Sequence, residues 1–373
     1  MGTREGRVSL PRCSRRYFLA ALASARAGLR ASEPPHRKLL PSVATKYLDP
    51  ATEFVIFRLT DPQHSALLPS GGTRALGNRA LLYASDTLGK WEAFRMDLRS
   101  HESLQLTDAE ALDPHSLSFQ PGEKGFWHFD GGRLLETAFS NYKSREVYRV
   151  PEDFEKQPGA AYADDGRTVV FVEHGAQGYR LQLLDMARGV AKTLAEESEE
   201  IREPLIRPKS AAAIYRVGAG ISIIDFNSGE KQNAALADGE IPQYQWATDG
   251  RSLLYLNRPP DPKKLAAIRE YVPETQTDAW IANTTQFVRF FANTNASVFA
   301  GASGSKASPY VLLLARAVKR EFTLAEHKAS DPRMVAPMFT PNSQGLAFQS
   351  DRHGKPAIYW MAVEKFVAET EGS

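Results

Sequence analysis

A unit of three or four short strands recurs along this chain every ~40 to 45 residues, and this repeat limits the possible fold more than any other feature. The clearest copy is residues 335–363, VAPMFTPNSQGLAFQSDRHGKPAIYWMAV. It reads as three strands, at 336–340, 346–350 and 357–363, joined by turns rich in Gly, Pro, Asn and Asp. Three short antiparallel strands cannot bury both faces alone, so the unit requires neighbouring copies.

Six earlier stretches repeat this pattern. They cover 78–108, 117–150, 160–194, 204–236, 243–282 and 287–327. Asp165-Gly166 and Asp249-Gly250 sit between alternating runs, as hairpin turns require. Seven four-stranded units at this period are typical of a propeller, in which each sheet packs face to face on its neighbours. The sequence therefore predicts an all-β, seven-bladed β-propeller.

The last unit shows only three strands, and a strand near the N-terminus offers the fourth. Residues 53–61, EFVIFRLTD, are similar to 102–108, ESLQLTD, which end the first unit. We expect 53–60 to complete the seventh blade, because this closes the ring and removes two open sheet edges. The propeller should then be a single domain over 47–373.

The N-terminal segment 1–31 has the features of a twin-arginine export signal. Arg15-Arg16 precede an Ala-rich run, and Ala23 and Ala25 suit a signal peptidase. We expect a periplasmic or secreted protein with a linker at 32–46; a basic N-terminal segment of a cytoplasmic protein is the alternative. The chain's one cysteine, Cys13, lies in this segment, which excludes disulfides and thiolate sites from the propeller.

Composition narrows the class of partner. The net charge of +2 gives no basic surface for nucleic acid. After the N-terminus, no apolar run approaches the ~20 residues that a membrane span needs. We expect a monomer without a nucleic-acid partner or transmembrane segment. Two irregular stretches stand out: a Pro/Gly/Ser-rich passage at 61–77 and RPPDPKK at 258–264, after which 265–271 reads equally as a helical turn or a strand.

The repeat at 339–361, FTPNSQGLAFQSDRHGKPAIYWM, resembles that of TolB and its relatives. A narrower resemblance is to the oligogalacturonate lyase family. It is carried by RLTDPQHS (58–65), LLYASDTLGKWEAFRMDLRSHESLQLTD (81–108), PLIRP (204–208) and the APMFTP to IYWM ending. This resemblance implies a seven-bladed propeller that cleaves short pectin fragments by β-elimination. In that reaction a divalent metal, manganese in the family, neutralises the uronate carboxylate and a base removes the C5 proton.

The positions that the resemblance implies for metal ligands hold other residues here. Met334 and Ala336 stand for a His-x-His pair, Asp331 for a glutamine, and Gln243 for a histidine ahead of a Trp-x-x-Asp-Gly turn. A thioether and a methyl group cannot replace two imidazoles on such a metal. We therefore expect no metal cofactor, and either binding of an acidic oligosaccharide or an altered lyase activity. The alternative is a non-catalytic TolB-like scaffold that binds a protein at its rim.

Several side chains are candidates for contacting an acidic sugar. His64, in the loop after the closing strand, is the candidate base or sugar contact, with an exposed loop histidine as the alternative. Arg58, Arg207 and Arg333 are candidates for binding a carboxylate through two nitrogens, although each could instead form an inter-blade or surface salt bridge.

Gln243 and Gln245 are further candidates for substrate binding if they face the central channel. Alternation along a strand sends only every second side chain the same way, so the two share a face. Three or more Arg, His, Gln or Asp side chains in the channel would favour a carbohydrate site, whereas an aliphatic channel would favour a scaffold.

Overall fold

Residues 37–69 and 73–371, together with Gly2, are described by a computed structural model of the chain. The predicted export signal at 1–31 therefore lies, apart from Gly2, outside the described residues. Contacts group Arg37–Ser373 into one compact unit. Within the described part of the chain, no helix is long and apolar enough to cross a membrane.

Short strands make up almost all of the regular structure. The first three are β1 (Leu39–Leu40), β2 (Thr45–Leu48) and β3 (Val55–Arg58). Blade 1 follows with β4 (Ala66–Leu67), β5 (Ala80–Ser85), β6 (Glu92–Asp97) and β7 (Ser103–Gln105). Blade 2 contains β8 (Ser118–Phe119), β9 (Gly125–Asp130), β10 (Arg133–Ala138) and β11 (Ser144–Arg149). Blade 3 contains β12 (Phe154–Lys156), β13 (Ala161–Tyr162), β14 (Thr168–Gly175), β15 (Gly178–Asp185) and β16 (Val190–Glu197).

The remaining four blades have the same form. Blade 4 is β17 (Ile201–Ile206), β18 (Ala212–Val217), β19 (Gly220–Asp225) and β20 (Lys231–Asn233). Blade 5 is β21 (Glu240–Trp246), β22 (Leu253–Arg258), β23 (Ala266–Val272) and β24 (Thr277–Thr284). Blade 6 is β25 (Phe287–Ala292), β26 (Val298–Ser303), β27 (Tyr310–Ala315) and β28 (Arg320–Glu326). Blade 7 starts with β29 (Met338–Phe339), β30 (Gly345–Ser350) and β31 (Ala357–Ala362). The described helices are two 3-10 turns, Pro121–Glu123 and Pro332–Met334, and α1 (Glu364–Glu371).

These strands form seven antiparallel sheets, one for each predicted repeat. In each blade the first segment lies innermost and later strands follow outward; in blade 3, β12 and β13 both pair with β14. The prediction of an all-β, seven-bladed propeller is confirmed. In blade 7 the outer strands come from the N-terminus: β3 pairs with β31 through Phe57 and Trp360, and β2 pairs with β3.

Aspartate turns recur where the third strand of a blade meets the fourth. The Oδ1 atoms of Asp97, Asp185 and Asp225 each accept backbone N–H groups two and three residues later, at 2.8–3.0 Å. Such a carboxylate satisfies turn N–H groups and fixes the hairpin. Four residues after Asp185 and Asp225, Gly189 and Gly229 take the left-handed conformation with φ of 67° and 72°.

The core is divided among the interfaces between blades. The described residues form seven apolar clusters, and each joins strands of two adjacent blades. The cluster between blades 7 and 1 brings Ile358 against Leu81 and Phe94, which closes the ring. Second strands such as β5, β9 and β30 are buried along their whole length because a neighbouring blade covers each of their faces.

Three segments differ from, or add to, what the pattern indicates. Within 32–46, the stretch assigned to a linker, β1 pairs with β7 as a fifth strand of blade 1, and β2 begins at Thr45. The undecided stretch 265–271 becomes β23, because partners on both sides supply its hydrogen bonds. The Pro/Gly/Ser-rich passage at 61–77 contains the short strand β4, and Leu76 bridges Leu81.

Candidate functional site

Six of the seven blades line a cavity of about 480 Å³ at the centre of the ring. Small-molecule sites typically enclose about 300–1,000 Å³. The aromatic side chains in its wall are Tyr162, Tyr244, Trp246, Phe291 and Phe339. The polar and charged side chains are Thr73, Arg74, Asp164, Glu203, Gln243, Gln245 and Arg289. Aromatic side chains can stack on an apolar ring face of a ligand, and charged side chains beside them can pair with its charged groups. The wall therefore suits a cyclic ligand that carries a charge.

Strand β21 contributes four consecutive residues to this wall, 243–246. Successive side chains of a strand point to opposite faces, so they contact the blades on either side. Gln243 reaches blade 6, where its side chain donates to the carbonyl of Phe290 at 2.7 Å and accepts from its N–H at 2.8 Å. The next residue, Tyr244, reaches blade 4 and donates its hydroxyl to the carbonyl of Glu203 at 2.8 Å. The strand thus fixes both neighbouring blades around the cavity, and the Gln243 amide is largely engaged in doing so.

Glu203 stands at a break in the regular pairing of β17. The register shifts between Arg202 and Leu205, and Glu203 has a φ of 51°. Non-glycine residues in this left-handed region cost about 1–3 kcal/mol and tend to occur at functional sites. The Glu203 carboxylate pairs with Arg216 at 3.0 Å, so its charge is already balanced.

Arg289 is the charged group in the wall with the least compensation. Its Nη1 donates to the carbonyl of Arg333 at 2.9 Å. Burial lowers the pKa of the Arg289 guanidinium, while the carboxylates of Glu203 and Asp331 act to raise it. Those carboxylates pair with other arginines, and among the described residues Arg289 forms no salt bridge. Because arginine remains protonated in proteins, Arg289 places in the wall a positive charge that has no carboxylate partner among the described residues.

A second guanidinium, that of Arg74, enters from the interrupted inner strand of blade 1. It donates to the carbonyls of Asp164 at 2.6 Å and Ala163 at 3.2 Å, and lies 3.5 Å from the Asp164 carboxylate. Its Nε is buried and has no partner among the described residues. Burial lowers the pKa of Arg74, partly offset by Asp164 and Asp165. Arg74 thus bridges blades 1 and 3 and adds positive charge to the wall.

A loop of blade 2 brings a histidine towards the same charges. Burial lowers the pKa of His115, on which the charges of Asp113, Arg289 and Lys156 also act, so the imidazole is neutral near pH 7. Asp113 accepts the His115 backbone N–H at 2.9 Å and pairs with Lys156 at 2.8 Å. Lys156 also donates to two backbone carbonyls of blade 3, which makes it a structural cation.

The residues predicted from the sequence divide between the cavity and the rest of the fold. Gln243 and Gln245 line the cavity. His64 does not; it lies in the loop between β3 and β4 with its side chain 41% exposed, and its Nδ1 is 3.7 Å from Asp86.

The three predicted arginines also lie outside the cavity wall. Arg58 is on β3, the fourth strand outward in blade 7, and donates to Thr45 at 3.1 Å. Arg207 joins blade 4 to blade 5 through the Gly250 carbonyl at 2.6 Å and pairs with Glu274 at 2.6 Å. Arg333 is exposed and pairs with Asp331 at 2.9 Å. Arg207 and Arg333 thus form salt bridges, whereas Arg58 donates to a hydroxyl group.

Arg289 and Arg74 were not among the residues singled out from the sequence. The sequence does contain a feature that could have identified Arg289 as a candidate. It is the one charged residue in the otherwise apolar innermost strand FVRFFA. Arg74 has no such signal, since it follows the irregular passage of blade 1 and reaches blade 3 only through the fold.

The side chains at the implied metal positions do not fit manganese. Met334 and Ala336 offer no oxygen or nitrogen donor from their side chains, and both Asp331 oxygens contact Arg333. The Gln243 amide is bonded to Phe290. In the described part of the chain, no group of three or more His, Cys, Asp or Glu side chains is arranged to hold a metal ion.

Comparison with known proteins agrees with the resemblance drawn from the motifs. No protein-family model matches the sequence. The chain is 21% identical over 374 residues to the oligogalacturonide lyase of Pectobacterium atrosepticum, covering 86% of this chain and 96% of that protein. It is 21% identical over 330 residues to the oligogalacturonate lyase of Dickeya dadantii, covering 75% of this chain and 85% of the relative.

Two solved structures share the fold over nearly their whole length. An oligogalacturonate lyase in complex with manganese has a TM-score of 0.83 at 19% identity, covering 89% of this chain and 99% of that structure. The oligogalacturonate lyase of Vibrio parahaemolyticus has a TM-score of 0.81 at 18% identity, covering 87% and 98%. In its repeats and its fold, the chain is thus a seven-bladed β-propeller similar to these oligogalacturonate lyases.

Proposed function

We propose that this propeller binds a short acidic oligosaccharide of the galacturonate type in its central cavity, without metal-assisted β-elimination. The observation that carries the proposal is the Arg289 guanidinium, which lines the cavity without a carboxylate partner among the described residues. Arg289 is half-buried, and the cost of removing part of a charge from water is offset by an opposite charge and by hydrogen bonds. The carboxylate of a uronic acid would supply both.

The rest of the wall supports a sugar rather than a simple anion. Tyr162, Trp246 and Phe339 present aromatic surface, and Gln245 adds an amide. Pyranose rings have apolar faces that suit aromatic side chains, while their hydroxyl groups require hydrogen-bonding partners. Arg74, Asp164, Gln243, Gln245 and Arg289 also exceed the three polar side chains expected of a carbohydrate site.

The proposed function differs from that of the relatives, which are named as lyases, because it involves no metal ion. Since the side chains of Met334 and Ala336 cannot ligate manganese, metal activation of the C5 proton has no support from these residues. We expect binding to persist because the cavity and its charges do not depend on those two positions.

Calorimetric titration of the purified protein with saturated digalacturonate tests this function. We expect saturable heat at one site per chain, and much weaker binding of galactobiose, the neutral disaccharide of the same ring type. Prolonged incubation with digalacturonate, with and without Mn²⁺, should give no increase in absorbance from an unsaturated product. Rising absorbance would identify an active lyase and overturn the binding-only part of the proposal.

The titration also distinguishes the second class of function, a scaffold that binds a protein at its rim. Such a scaffold has no need of an arginine without a carboxylate partner, such as Arg289, in the channel. Absence of heat with digalacturonate at high protein concentration would end the carbohydrate proposal and leave the scaffold as the remaining hypothesis.

We further propose that the protein is exported, on the basis of the twin-arginine pattern in 1–31. Replacing Arg15 and Arg16 by lysine should retain the protein in the cytoplasm when cell fractions are compared. Unchanged fractionation of this variant would refute a twin-arginine signal.

A further inference from the structure

The strongest unexplained feature of the cavity is that one arginine has hydrogen-bond donors to spare. Arg289 Nη1 bonds the carbonyl of Arg333 at 2.9 Å. None of the Arg289 nitrogens is both buried and without a partner, whereas Nε of Arg74 is. Arg289 lines the cavity, and its bond to Arg333 uses one of its five N–H donors.

Arg289 lies next to the segment at which the resemblance implies metal ligands. The backbone carbonyl that it contacts belongs to the 3-10 turn Pro332–Met334, which holds Met334 and is followed by Ala336. Asp331, at the start of the same turn, is held by Arg333 through both of its oxygens. A positive charge is thus anchored beside the segment where the relatives' pattern implies metal ligands.

The surrounding charges leave this cation available for a ligand. Glu203 and Asp331, the carboxylates that act on it, pair with Arg216 and Arg333. His115 acts on it from blade 2, and burial keeps that imidazole neutral near pH 7. Glu203 and Asp331 are thus each paired with another arginine, and the neutral imidazole of His115 brings no negative charge to Arg289.

We infer that Arg289 is the group that binds and neutralises a uronate carboxylate in this protein, in place of a metal ion. This inference rests on the proposed function and assigns its recognition to one residue. A guanidinium can hold both carboxylate oxygens through two parallel N–H donors, which a metal-free site needs for orientation as well as charge. The site should therefore select carboxylates over their esters and work without any divalent cation.

The test compares Arg289→Gln and Arg289→Lys with wild type in calorimetric titrations with digalacturonate, each in EDTA and in Mn²⁺. We expect wild-type affinity to be the same in both solutions. Arg289→Gln should bind roughly 10- to 100-fold more weakly, the loss typical of a charged hydrogen bond. Arg289→Lys should fall between the two because it keeps the charge but loses the planar pair of donors.

Two controls separate recognition from folding. Arg188→Gln removes an arginine that is 81% exposed and pairs with Asp185 on an outer turn, and its affinity should equal that of wild type. The fully methyl-esterified disaccharide should bind wild type and Arg289→Gln equally weakly, because the carboxylates are then absent. A change caused only by structural damage would weaken both ligands. The melting temperature of Arg289→Gln should not fall, since the substitution removes a charge that lacks a carboxylate partner.

Each outcome has a distinct meaning. If wild type binds digalacturonate but Arg289→Gln binds it equally well, or if EDTA abolishes wild-type binding, this inference is overturned and the proposed function stands. If wild type binds no digalacturonate in either solution, the proposed function is overturned together with the inference.

Discussion

A buried histidine in blade 2, His128, is expected to make the stability of the fold depend on pH. His128, on β9, is 2% exposed and stacks on Phe126 with ring centroids 5.0 Å apart. Its Nδ1 is buried and has no partner among the described residues. Burial lowers the pKa of His128 to about 4, although Asp130 acts to raise it. The folded state therefore holds this imidazole neutral well below its ordinary pKa.

We predict that the protein loses stability as the pH falls towards 5. The unfolded chain protonates this histidine near pH 6.5 and the folded chain only near 4, so the unfolded state binds more protons in this window. The share from His128 between about pH 7.5 and about pH 5 should be about 2 kcal/mol. Urea unfolding of wild type and His128→Leu at both pH values measures it, and the variant should show the smaller loss.

Other histidines should also contribute to the loss of stability at low pH, so His128→Leu should not abolish that loss. Burial also lowers the pKa of His115 and His327, so some pH dependence should remain in His128→Leu. Equal losses in wild type and His128→Leu would show that His128 does not titrate as described.

At the residue level, sequence reasoning found candidate types but often not their places. Gln243 and Gln245 line the cavity, and both belong to the innermost strand of blade 5. Arg207 lies close in sequence to cavity residues, yet its side chain joins blade 5. Whether an arginine faces a channel or a neighbouring blade depends on contacts with residues far away in sequence, which pattern alone does not contain.

Strand β3 lies between β31 and β2 in blade 7 and packs against blade 6. Ile56 is fully buried in the cluster that joins blades 6 and 7, whereas the preceding Val55 is 38% exposed. Before this strand, Asp49 accepts the Glu326 N–H at 2.8 Å and so fastens the loop to blade 6. The N-terminal strand is therefore held by both side-chain packing and hydrogen bonds.

Substitution of adjacent residues tests the contribution of this strand. We predict that Ile56→Ala lowers the free energy of unfolding by about 2–5 kcal/mol, because it leaves a cavity in the cluster. Val55→Ala, on the exposed face of the same strand, should cost less than about 1 kcal/mol. Urea unfolding followed by circular dichroism measures both. Similar losses in the two variants would show that β3 does not pack as a core strand.

At the level of elements, the sequence predicted what depends on local pattern. Strands with alternating or continuous apolar runs beside turn residues, such as β14, β22 and β30, were identifiable from that pattern. The two-residue strand β1 carries no such signal, and it forms because β7 offers a free edge. Likewise, 265–271 was ambiguous alone and becomes a strand between two partners.

At the level of the whole molecule, ring closure creates the site. A net charge of +2 over 373 residues provides little long-range attraction for an anion. The wall carries charges of both signs, and Arg74 and Arg289, from blades 1 and 6, line the same cavity. Attraction for an anion is therefore local and centred on Arg289, which has no carboxylate partner among the described residues. The number of blades could be counted from the repeats, but the meeting of these two side chains required the closed ring.

The melting temperature of the wild-type protein provides the most direct test of a metal-free uronate site. In EDTA, digalacturonate at about 100 times its Kd should stabilise the fold by about 2.7 kcal/mol and raise the melting temperature measurably. Mn²⁺ alone should leave the melting temperature unchanged, because Met334 and Ala336 provide no ligands for it. A rise with Mn²⁺ alone, together with a digalacturonate effect that appears only when Mn²⁺ is present, would contradict the metal-free site.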